Sequence, residues 1–286
     1  MRRFLYTFLL VTLIPLTGIV SGCQKGESMD IYTKIRAEIP KEFKSAHPAE
    51  DWWKPEPELT WQWQLTGKLD LSINTDVYDV DLNVHRSVVD HFHEQGAKVI
   101  CYISVGSWEN WRSDSDKFSK ELLGKDYEGW PGEKWLDIRR IDLLAPVMRA
   151  RFDECAKKGF DAIEPDNIDI HTNDTGFPLT YEDQLRYAIW LADEAHACGL
   201  AIGLKNAPDQ VDDLVGLYDF AITEDCFYGE WCEDMIPFIE SGKAVFAAEY
   251  TDLTKDFSQV CTKSRELGFS TILKQRNLSS WIEFCP

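Results

Sequence analysis

One segment carries the clearest information on the architecture of this chain: Lys157-Lys-Gly-Phe-Asp-Ala-Ile-Glu-Pro-Asp-Asn-Ile-Asp169. Its two lysines end a helical stretch, and Gly159 suits the left-handed position just past a helix end, where other residues carry a steric cost. The short apolar run that follows is typical of a strand covered on both faces. A helix, a glycine and then such a strand indicate βα units and a parallel sheet.

The same helix–glycine–strand pattern occurs five times, at Gly96, Gly159, Gly199, Gly242 and Gly268. Eight strands are predicted, over residues 60–65, 77–82, 98–105, 160–165, 201–205, 220–224, 244–250 and 270–274. The clearest helical stretches between them are residues 145–158, 180–198 and 256–267. Eight strands with helical connections predict a single closed (β/α)8 barrel of the TIM type, in the α/β class. A doubly wound open sheet is the alternative, but no glycine-rich phosphate loop follows the first strand.

The N-terminal residues are typical of an export signal. Arg2 and Arg3 precede an apolar run over residues 4–20, and Ser21-Gly22-Cys23 resembles the end of a bacterial lipobox. Residues 1–22 are therefore predicted to be a lipoprotein signal peptide, with Cys23 as the lipidated residue; an ordinary signal peptide is the alternative. Residues 23–48 are predicted to be a polar tether and residues 49–286 the barrel. Because Gln24 replaces the aspartate that favours inner-membrane retention, the predicted location is the outer membrane or cell surface.

Composition and charge restrict the partners. The chain has 286 residues, 44% of them hydrophobic, which excludes a disordered protein. Its formal charge is −19, and removal of residues 1–22 with their two arginines makes it −21. Such a field repels nucleic acid and attracts cations. We therefore predict no nucleic-acid partner, membrane contact through the N-terminal lipid only, and a monomer.

Export places the eight cysteines in an oxidising compartment. Cys226 and Cys232 are close together in a loop and are predicted to form a disulfide. A second disulfide could join Cys261 to Cys285. The remaining cysteines of the barrel lie in apolar periodic segments and are predicted to be buried thiols; they are Cys101, Cys155 and Cys198. No cysteine or histidine pair has the spacing of a zinc site, so no metal is predicted.

Polar residues collect where the predicted strands end, which in such a barrel is where an active site lies. Glu164 and Asp166 stand two apart at one strand end and so share a face. They could be a glycosidase carboxylate pair, part of a metal cluster with Asp169 and His171, or a hydrogen-bonded network that closes the barrel mouth. The predicted substrate-binding residues are Asp79, Asp81, Tyr102, Ser104, Glu164, Asn167, Lys205, Asn206, Glu249 and Lys274. Four tryptophans in the loops after the third strand are candidates either for sugar stacking or for anchoring those loops; they are Trp108, Trp111, Trp130 and Trp135.

Over residues 50–286 the chain resembles the glycoside hydrolase family 114 endo-α-1,4-polygalactosaminidases. The resemblance rests on six motifs in order, which are Lys98-Val-Ile-Cys-Tyr-Ile-Ser-Val-Gly-Ser107, Gly129-Trp-Pro-Gly-Glu-Lys-Trp-Leu-Asp-Ile-Arg139, Gly159-Phe-Asp-Ala-Ile-Glu-Pro-Asp-Asn-Ile-Asp169, Gly203-Leu-Lys-Asn206, Glu224-Asp-Cys-Phe227 and Phe246-Ala-Ala-Glu-Tyr250.

The resemblance implies a substrate and two catalytic acids. The implied substrate is a partly de-N-acetylated, cationic galactosamine polymer, cleaved internally and without a cofactor. Asp166 would be the nucleophile and Glu224 the general acid/base of a retaining mechanism, while Glu164 and Asp81 would orient the substrate or tune the nucleophile, and Lys205 would hydrogen-bond the charged centre. The alternative is a non-catalytic surface lipoprotein that binds a cationic polysaccharide.

Overall fold

The computed structural model describes residues 33–39 and 51–286. The predicted signal peptide, Cys23 and most of the predicted tether lie outside these residues. The strands in chain order are β1 (Trp61–Gln64), β2 (Val77–Asp81), β3 (Lys98–Ser104), β4 (Ser107–Glu109), β5 (Leu123–Asp126), β6 (Glu133–Leu136), β7 (Ala162–Asp166), β8 (Ala201–Lys205), β9 (Phe220–Glu224), β10 (Val245–Tyr250), β11 (Ser270–Lys274) and β12 (Ile282–Phe284).

The helices surround this sheet. They are α1 (residues 33–38), α2 (Arg86–Glu94), α3 (Ile141–Lys158), α4 (Tyr181–Ala197), α5 (Val211–Leu214), α6 (Ile236–Glu240) and α7 (Phe257–Leu267). The predicted start of α4 is confirmed as a capping box, in which Thr180 and Asp183 satisfy each other's backbone N–H groups. Gly159 and Gly268 end α3 and α7 in the left-handed conformation, with φ of 89° and 74°. No helix within the described residues is both long enough and apolar enough to span a bilayer.

The predicted barrel is confirmed. The main sheet has the order β1-β2-β3-β7-β8-β9-β10-β11-β12, and its first eight strands pair in parallel. All eight predicted strands are present. A doubly wound sheet would reverse its strand order part-way across, whereas this order follows the chain apart from one insertion. Strands β8 and β10 are buried over their whole length, because helices cover their outer face and side chains fill the barrel interior.

The seam between β1 and β11 is bridged mainly by side chains and a loop. Trp61 Nε1 donates to the Ser270 carbonyl at 2.9 Å, and the backbone N–H of Leu65 donates to the Leu278 carbonyl at 2.9 Å. Lys274 Nζ donates to Gln62 Oε1 at 2.8 Å and to the Trp281 carbonyl at 2.7 Å. Lys274, predicted to bind substrate, is therefore a buried residue of the seam, and burial lowers its pKa to about 7.

The insertion between β3 and α3 forms a small antiparallel sheet in the order β4-β6-β5. It contains all four tryptophans considered for sugar stacking. Trp135 is buried, and Trp108 donates its indole N–H to the Ser115 carbonyl, so these two anchor the insertion. Trp111 and Trp130 remain 55% and 50% exposed. The insertion therefore presents two indoles to solvent.

Three disulfides are present among the described cysteines. The predicted Cys226–Cys232 bond is confirmed, and Cys261 pairs with Cys285. The prediction that Cys101 and Cys155 are buried thiols is wrong, because they form a disulfide with Cα atoms 6.2 Å apart. Cys101 lies on the outer face of β3 and bonds to Cys155 of α3. The two residues are 54 positions apart, and the periodicity of the sequence does not show that they meet.

The first described helix differs from the predicted tether. Within residues 33–39, Ile35 and Ile39 are buried in the main apolar core. Arg36 pairs with Asp193 of α4 at 2.5 Å. Residues 33–39 therefore pack on the barrel, because two isoleucines one helical turn apart give this segment an apolar face.

Both ends of the described barrel lie at the face where the strands begin. Trp52 donates its indole N–H to Asp219, next to the start of β9, at 2.9 Å, and the Pro55 carbonyl accepts from Ala244, next to the start of β10, at 3.0 Å. At the other terminus the Pro286 carbonyl accepts from Arg265 near the end of α7, at 3.0 Å.

Candidate active site

A cavity of about 490 Å³ opens at the carboxyl ends of the parallel strands. Six acids line it: Asp81, Glu109, Glu133, Asp166, Asp169 and Glu224. Three basic residues line it as well: Arg112, Lys205 and Arg276. Six aromatic residues complete most of the wall: Trp63, Tyr102, Trp111, Tyr127, Trp130 and Tyr250. Acids outnumber bases two to one, so the cavity favours a cationic ligand.

Lys205 joins the acids at the centre of this cavity. Its side chain is 2% exposed, and its Nζ lies 2.7 Å from Asp166 Oδ1 and 3.2 Å from Glu224 Oε2. Because both distances start at the same nitrogen, the two carboxylate oxygens can be no more than about 6 Å apart, close to the separation of a retaining glycosidase pair. Burial acts against the ammonium charge, but the surrounding carboxylates, Asp166 foremost, raise the pKa of Lys205 well above its ordinary value.

Two tyrosines complete the hydrogen bonding of the acids. Tyr102 on β3 donates its hydroxyl to Asp166 Oδ2 at 2.8 Å, so both oxygens of Asp166 accept from a donor. Tyr250 at the end of β10 donates to Glu224 Oε1. Asn206 donates to the other Glu224 oxygen at 3.3 Å and accepts from the Glu224 backbone N–H at 3.0 Å. Each acid is thus fixed by residues from neighbouring strands.

The residue after each central strand adopts a left-handed backbone. Asn167 follows Asp166 with φ of 61°, Asn206 follows Lys205 with φ of 51°, and Asp225 follows Glu224 with φ of 53°. Asparagine and aspartate tolerate this conformation better than other residues with a Cβ. Three adjacent strands therefore turn sharply away just after their functional side chain, a concentration of strained backbone that is common at active sites.

Gly106 allows one of these turns to approach β3. A Cβ built on Gly106 would lie 1.7 Å from the Asn167 carbonyl oxygen, an impossible contact. Asn167 in turn donates its amide to Ser104 Oγ at 3.0 Å. Gly106 is thus required for the position of the residue that follows Asp166.

Gly106→Ala is expected to displace Asn167 and Asp166 and to lower kcat by about 100-fold or more, because a shift of about 1 Å in a reacting group has this effect. Steady-state kinetics measure the loss. Gly216→Ala is the matched control, because a Cβ there has nothing within 4 Å and the backbone needs no positive φ. Equal activity of the two variants would contradict the assigned role of Gly106.

The remaining acids of the cavity fall into two groups. Arg112 holds Asp81 at 2.8 Å and Glu109 at 2.7 Å, so these two carboxylates are already paired. Glu133 and Asp169 form no ion pair with any residue in the described part of the chain. Burial raises the pKa of each of these two acids to about 7.

The structure brings half of the predicted substrate-binding residues to the cavity wall. These are Asp81, Tyr102, Asn167, Lys205 and Asn206, together with the predicted catalytic residues Asp166 and Glu224. The others lie behind the wall, fully or almost fully buried, and are Asp79, Ser104, Glu164, Glu249 and Lys274. Glu249 faces away from the barrel axis and accepts backbone N–H bonds from Phe227 and Tyr228, so it anchors the loop after β9.

The metal alternative is not supported by the position of His171. Its Nδ1 lies 2.9 Å from Gln184 Oε1 and its Nε2 lies 3.3 Å from Asp209, so neither ring nitrogen contacts Asp169. Within the described residues, no group of three or more histidine, cysteine, aspartate or glutamate side chains is placed to hold a metal ion.

Several cavity residues were not identified from the sequence. Arg112, Glu109 and Glu133 belong to the β4–β6 insertion, whose fold no periodic pattern indicates. Arg276 lies two residues past β11, stacks on the ring of Tyr250 at 4.1 Å and pairs with Asp225 at 2.9 Å. Its position just past a strand end was the one feature of the sequence that could have identified it as a cavity residue.

Comparison with known proteins identifies the family of the chain. The family model described as glycoside-hydrolase family GH114 matches residues 43–286. A crystal structure of Aspergillus fumigatus Ega3 in complex with galactosamine is 36% identical, with a TM-score of 0.78, and the match covers 84% of this chain and 100% of that one. The glycoside hydrolase domain of PelA from Pseudomonas aeruginosa shares the fold at 14% identity and a TM-score of 0.62, covering 80% of this chain and 98% of that domain. A search of curated proteins found no match. The family match over most of the chain shows that this protein is a glycoside hydrolase and belongs to family GH114.

Proposed function

We propose that the protein cleaves α-1,4-linked galactosamine polymers internally, by a retaining mechanism in which Asp166 is the nucleophile and Glu224 the general acid/base. The observation that carries this proposal is the shared contact of both carboxylates with Lys205 Nζ, at 2.7 and 3.2 Å. A retaining pair stands about 5–5.5 Å apart, whereas an inverting pair needs about 6.5–9.5 Å to admit a water molecule. The upper limit of about 6 Å between the two oxygens favours retention.

The surroundings of the two acids support different roles for them. Asp166 accepts from Lys205 on one oxygen and from Tyr102 on the other, as suits a carboxylate that attacks the anomeric carbon. The Glu224 side chain is 29% exposed against 18% for Asp166, so Glu224 is the acid more open to exchange protons with water. Glu224 would protonate the leaving oxygen in the first step and take a proton from the attacking water in the second.

Cavity charge supports a cationic substrate. Glu133 and Asp169 have no ion pair in the described chain, so their carboxylates are available to the ammonium group of a galactosamine unit. An N-acetyl group carries no charge and cannot make this interaction. The exposed rings of Trp111 and Trp130 border the same cavity and offer apolar surfaces to neighbouring sugar rings. The relative Ega3 was crystallised with galactosamine, which agrees with this substrate class.

Incubation of the purified protein with matched de-N-acetylated and fully N-acetylated galactosamine polymers tests the proposal. Mass spectrometry should show a ladder of internal fragments, and kcat/KM should be at least about tenfold higher on the cationic polymer, equivalent to about 1.4 kcal/mol. This preference should weaken as salt is added. Early NMR spectra should show the α-anomer as the first product.

The possible results separate the alternatives. First release of the β-anomer would replace retention by inversion. Polymer that co-sediments with the protein yet stays intact would support a non-catalytic binding protein. A higher rate on the acetylated polymer would remove the assigned role of Glu133 and Asp169.

A further inference from the structure

Asp79 and Glu164 form a buried pair of carboxyl groups one layer below the cavity, with their side chains close enough to share a proton. Both residues are 0% exposed. Among the described residues, neither oxygen of Asp79 has a hydrogen-bond partner, and neither does Oε2 of Glu164. Three buried carboxyl oxygens without a donor would be costly if both groups were ionised. A proton on one of these two carboxyl groups would remove this cost.

Lys205 cannot supply a donor to Asp79. Its ammonium group has three N–H bonds, and its Nζ already lies 2.8 Å from Glu164 Oε1, 2.7 Å from Asp166 and 3.2 Å from Glu224. The residues in register with Asp79 on the flanking strands are Trp63 and Ile100, and neither is ionisable. An ionised Asp79 would therefore add a negative charge to a cluster whose one central cation is fully used.

We propose that Asp79 is a neutral carboxylic acid that donates a hydrogen bond to Glu164, and that it acts as a positioning residue for Lys205 and Asp166. One proton then satisfies Asp79 and the free oxygen of Glu164 together. Glu164 keeps its charge for Lys205, which holds Asp166 Oδ1. The positioning role of Asp79 rests on the proposed function of Asp166 as nucleophile, whereas the protonation of Asp79 does not depend on that function.

The electrostatic surroundings agree with this assignment. Burial, and then the charge of Glu164, raise the pKa of Asp79 well above its ordinary value. Asp166 on β7 acts in the same direction, and Lys205 on β8 acts against it. Burial also raises the pKa of Glu164 to about 7, with the nearby Lys205 opposing it. Since Glu164 contacts the ammonium directly and Asp79 does not, the proton belongs on Asp79.

Infrared difference spectroscopy tests the position of the proton without any substrate. The spectrum of the wild-type protein minus that of Asp79→Asn, recorded at pH 7, should contain the C=O stretch of a protonated carboxyl group. A difference spectrum without this band would overturn the proposal. So would a band that disappears in Glu164→Gln while Asp79→Asn retains it, because the proton would then belong to Glu164.

Thermal unfolding gives a second readout that is independent of substrate. A folded-state pKa raised above the unfolded value means that unfolding releases a proton, so the wild-type protein loses stability as pH rises above the ordinary aspartate range. Asp79→Asn lacks this loss. Its Tm relative to wild type should therefore increase by about 5 °C or more between pH 5 and pH 7. A Tm difference that is the same at both pH values would indicate packing alone and would contradict a proton on Asp79.

Activity then tests the positioning role. Asp79→Asn keeps a donor toward Glu164 and should retain kcat within about threefold, whereas Asp79→Val should lose about 100-fold with little change in KM. A loss of about 100-fold in Asp79→Asn would show that a charged Asp79 is required and would overturn the proposal. If no variant and no wild-type protein cleaves the polymer, the proposed function fails while the spectroscopic and thermal results still decide the protonation of Asp79.

Discussion

Asp166→Asn is expected to lower kcat about 10,000-fold while leaving the fold intact, because asparagine keeps the shape of the side chain but cannot attack the anomeric carbon. The asparagine carbonyl can still accept from Lys205, and its amide can donate to the Tyr102 hydroxyl oxygen, so the surrounding contacts persist. Steady-state hydrolysis, together with Tm, measures the two effects separately.

Glu224→Gln distinguishes the two acids. It should be nearly as impaired as Asp166→Asn on the natural polymer, yet recover on a synthetic galactosaminide with an acidic phenol as leaving group, because such a group departs without protonation. Asp166→Asn should show no such recovery. Asp116→Asn, at an exposed acid between β4 and β5, is the matched control and should behave as wild type. Retention of activity in Asp166→Asn would assign the nucleophile elsewhere.

Lys205→Met is expected to be both inactive and unstable. The substitution preserves side-chain length but leaves Glu164, Asp166 and Glu224 without their shared cation. Removing one partner of a buried ion pair costs about 3–5 kcal/mol, since the remaining charges stay buried and unpaired. Denaturant unfolding at neutral pH should show a loss of this size in the free energy of unfolding.

The pH dependence identifies the cause of this instability. Burial raises the pKa of Glu164 and the ammonium of Lys205 opposes that rise, so without the ammonium this pKa lies further above its unfolded value. The folded variant therefore gains stability as pH falls and loses it as pH rises. The stability difference between wild type and Lys205→Met should therefore narrow from pH 7 to pH 5. Lys263→Met on the exposed face of α7 is the matched control. A deficit that is the same at both pH values would mean that packing, rather than charge, explains the loss.

The barrel could be predicted because its local signals agree with its global fold. Five of the eight predicted strands are apolar runs that follow a helix-ending glycine, and both signals depend only on nearby residues. The β4–β6 insertion has no such signal, since its strands have three or four residues each and pair in an order unrelated to periodicity. Cys101–Cys155 depended on how α3 packs over β3, which is tertiary information.

The sequence was enough to predict which strands carry the site residues, but not which residues of those strands reach the cavity. Asp79 and Asp81 share the inner face of β2, as Glu164 and Asp166 share that of β7, because side chains alternate along a strand. Only the later residue of each pair reaches the cavity. The sequence shows the alternation. The height in the barrel at which packed side chains give way to the cavity depends on the size of neighbouring side chains such as Trp63, and only the three-dimensional structure shows it.

The face at which the barrel begins and ends determines how the enzyme can be attached to a surface. Trp52, Pro55 and Pro286 all lie at the end of the barrel opposite the cavity. An attachment made at Pro286 would therefore hold the molecule by the closed end of the barrel and direct the cavity toward the medium. Coupling to a support through a C-terminal tag should therefore leave the mouth of the cavity free for a polymeric substrate.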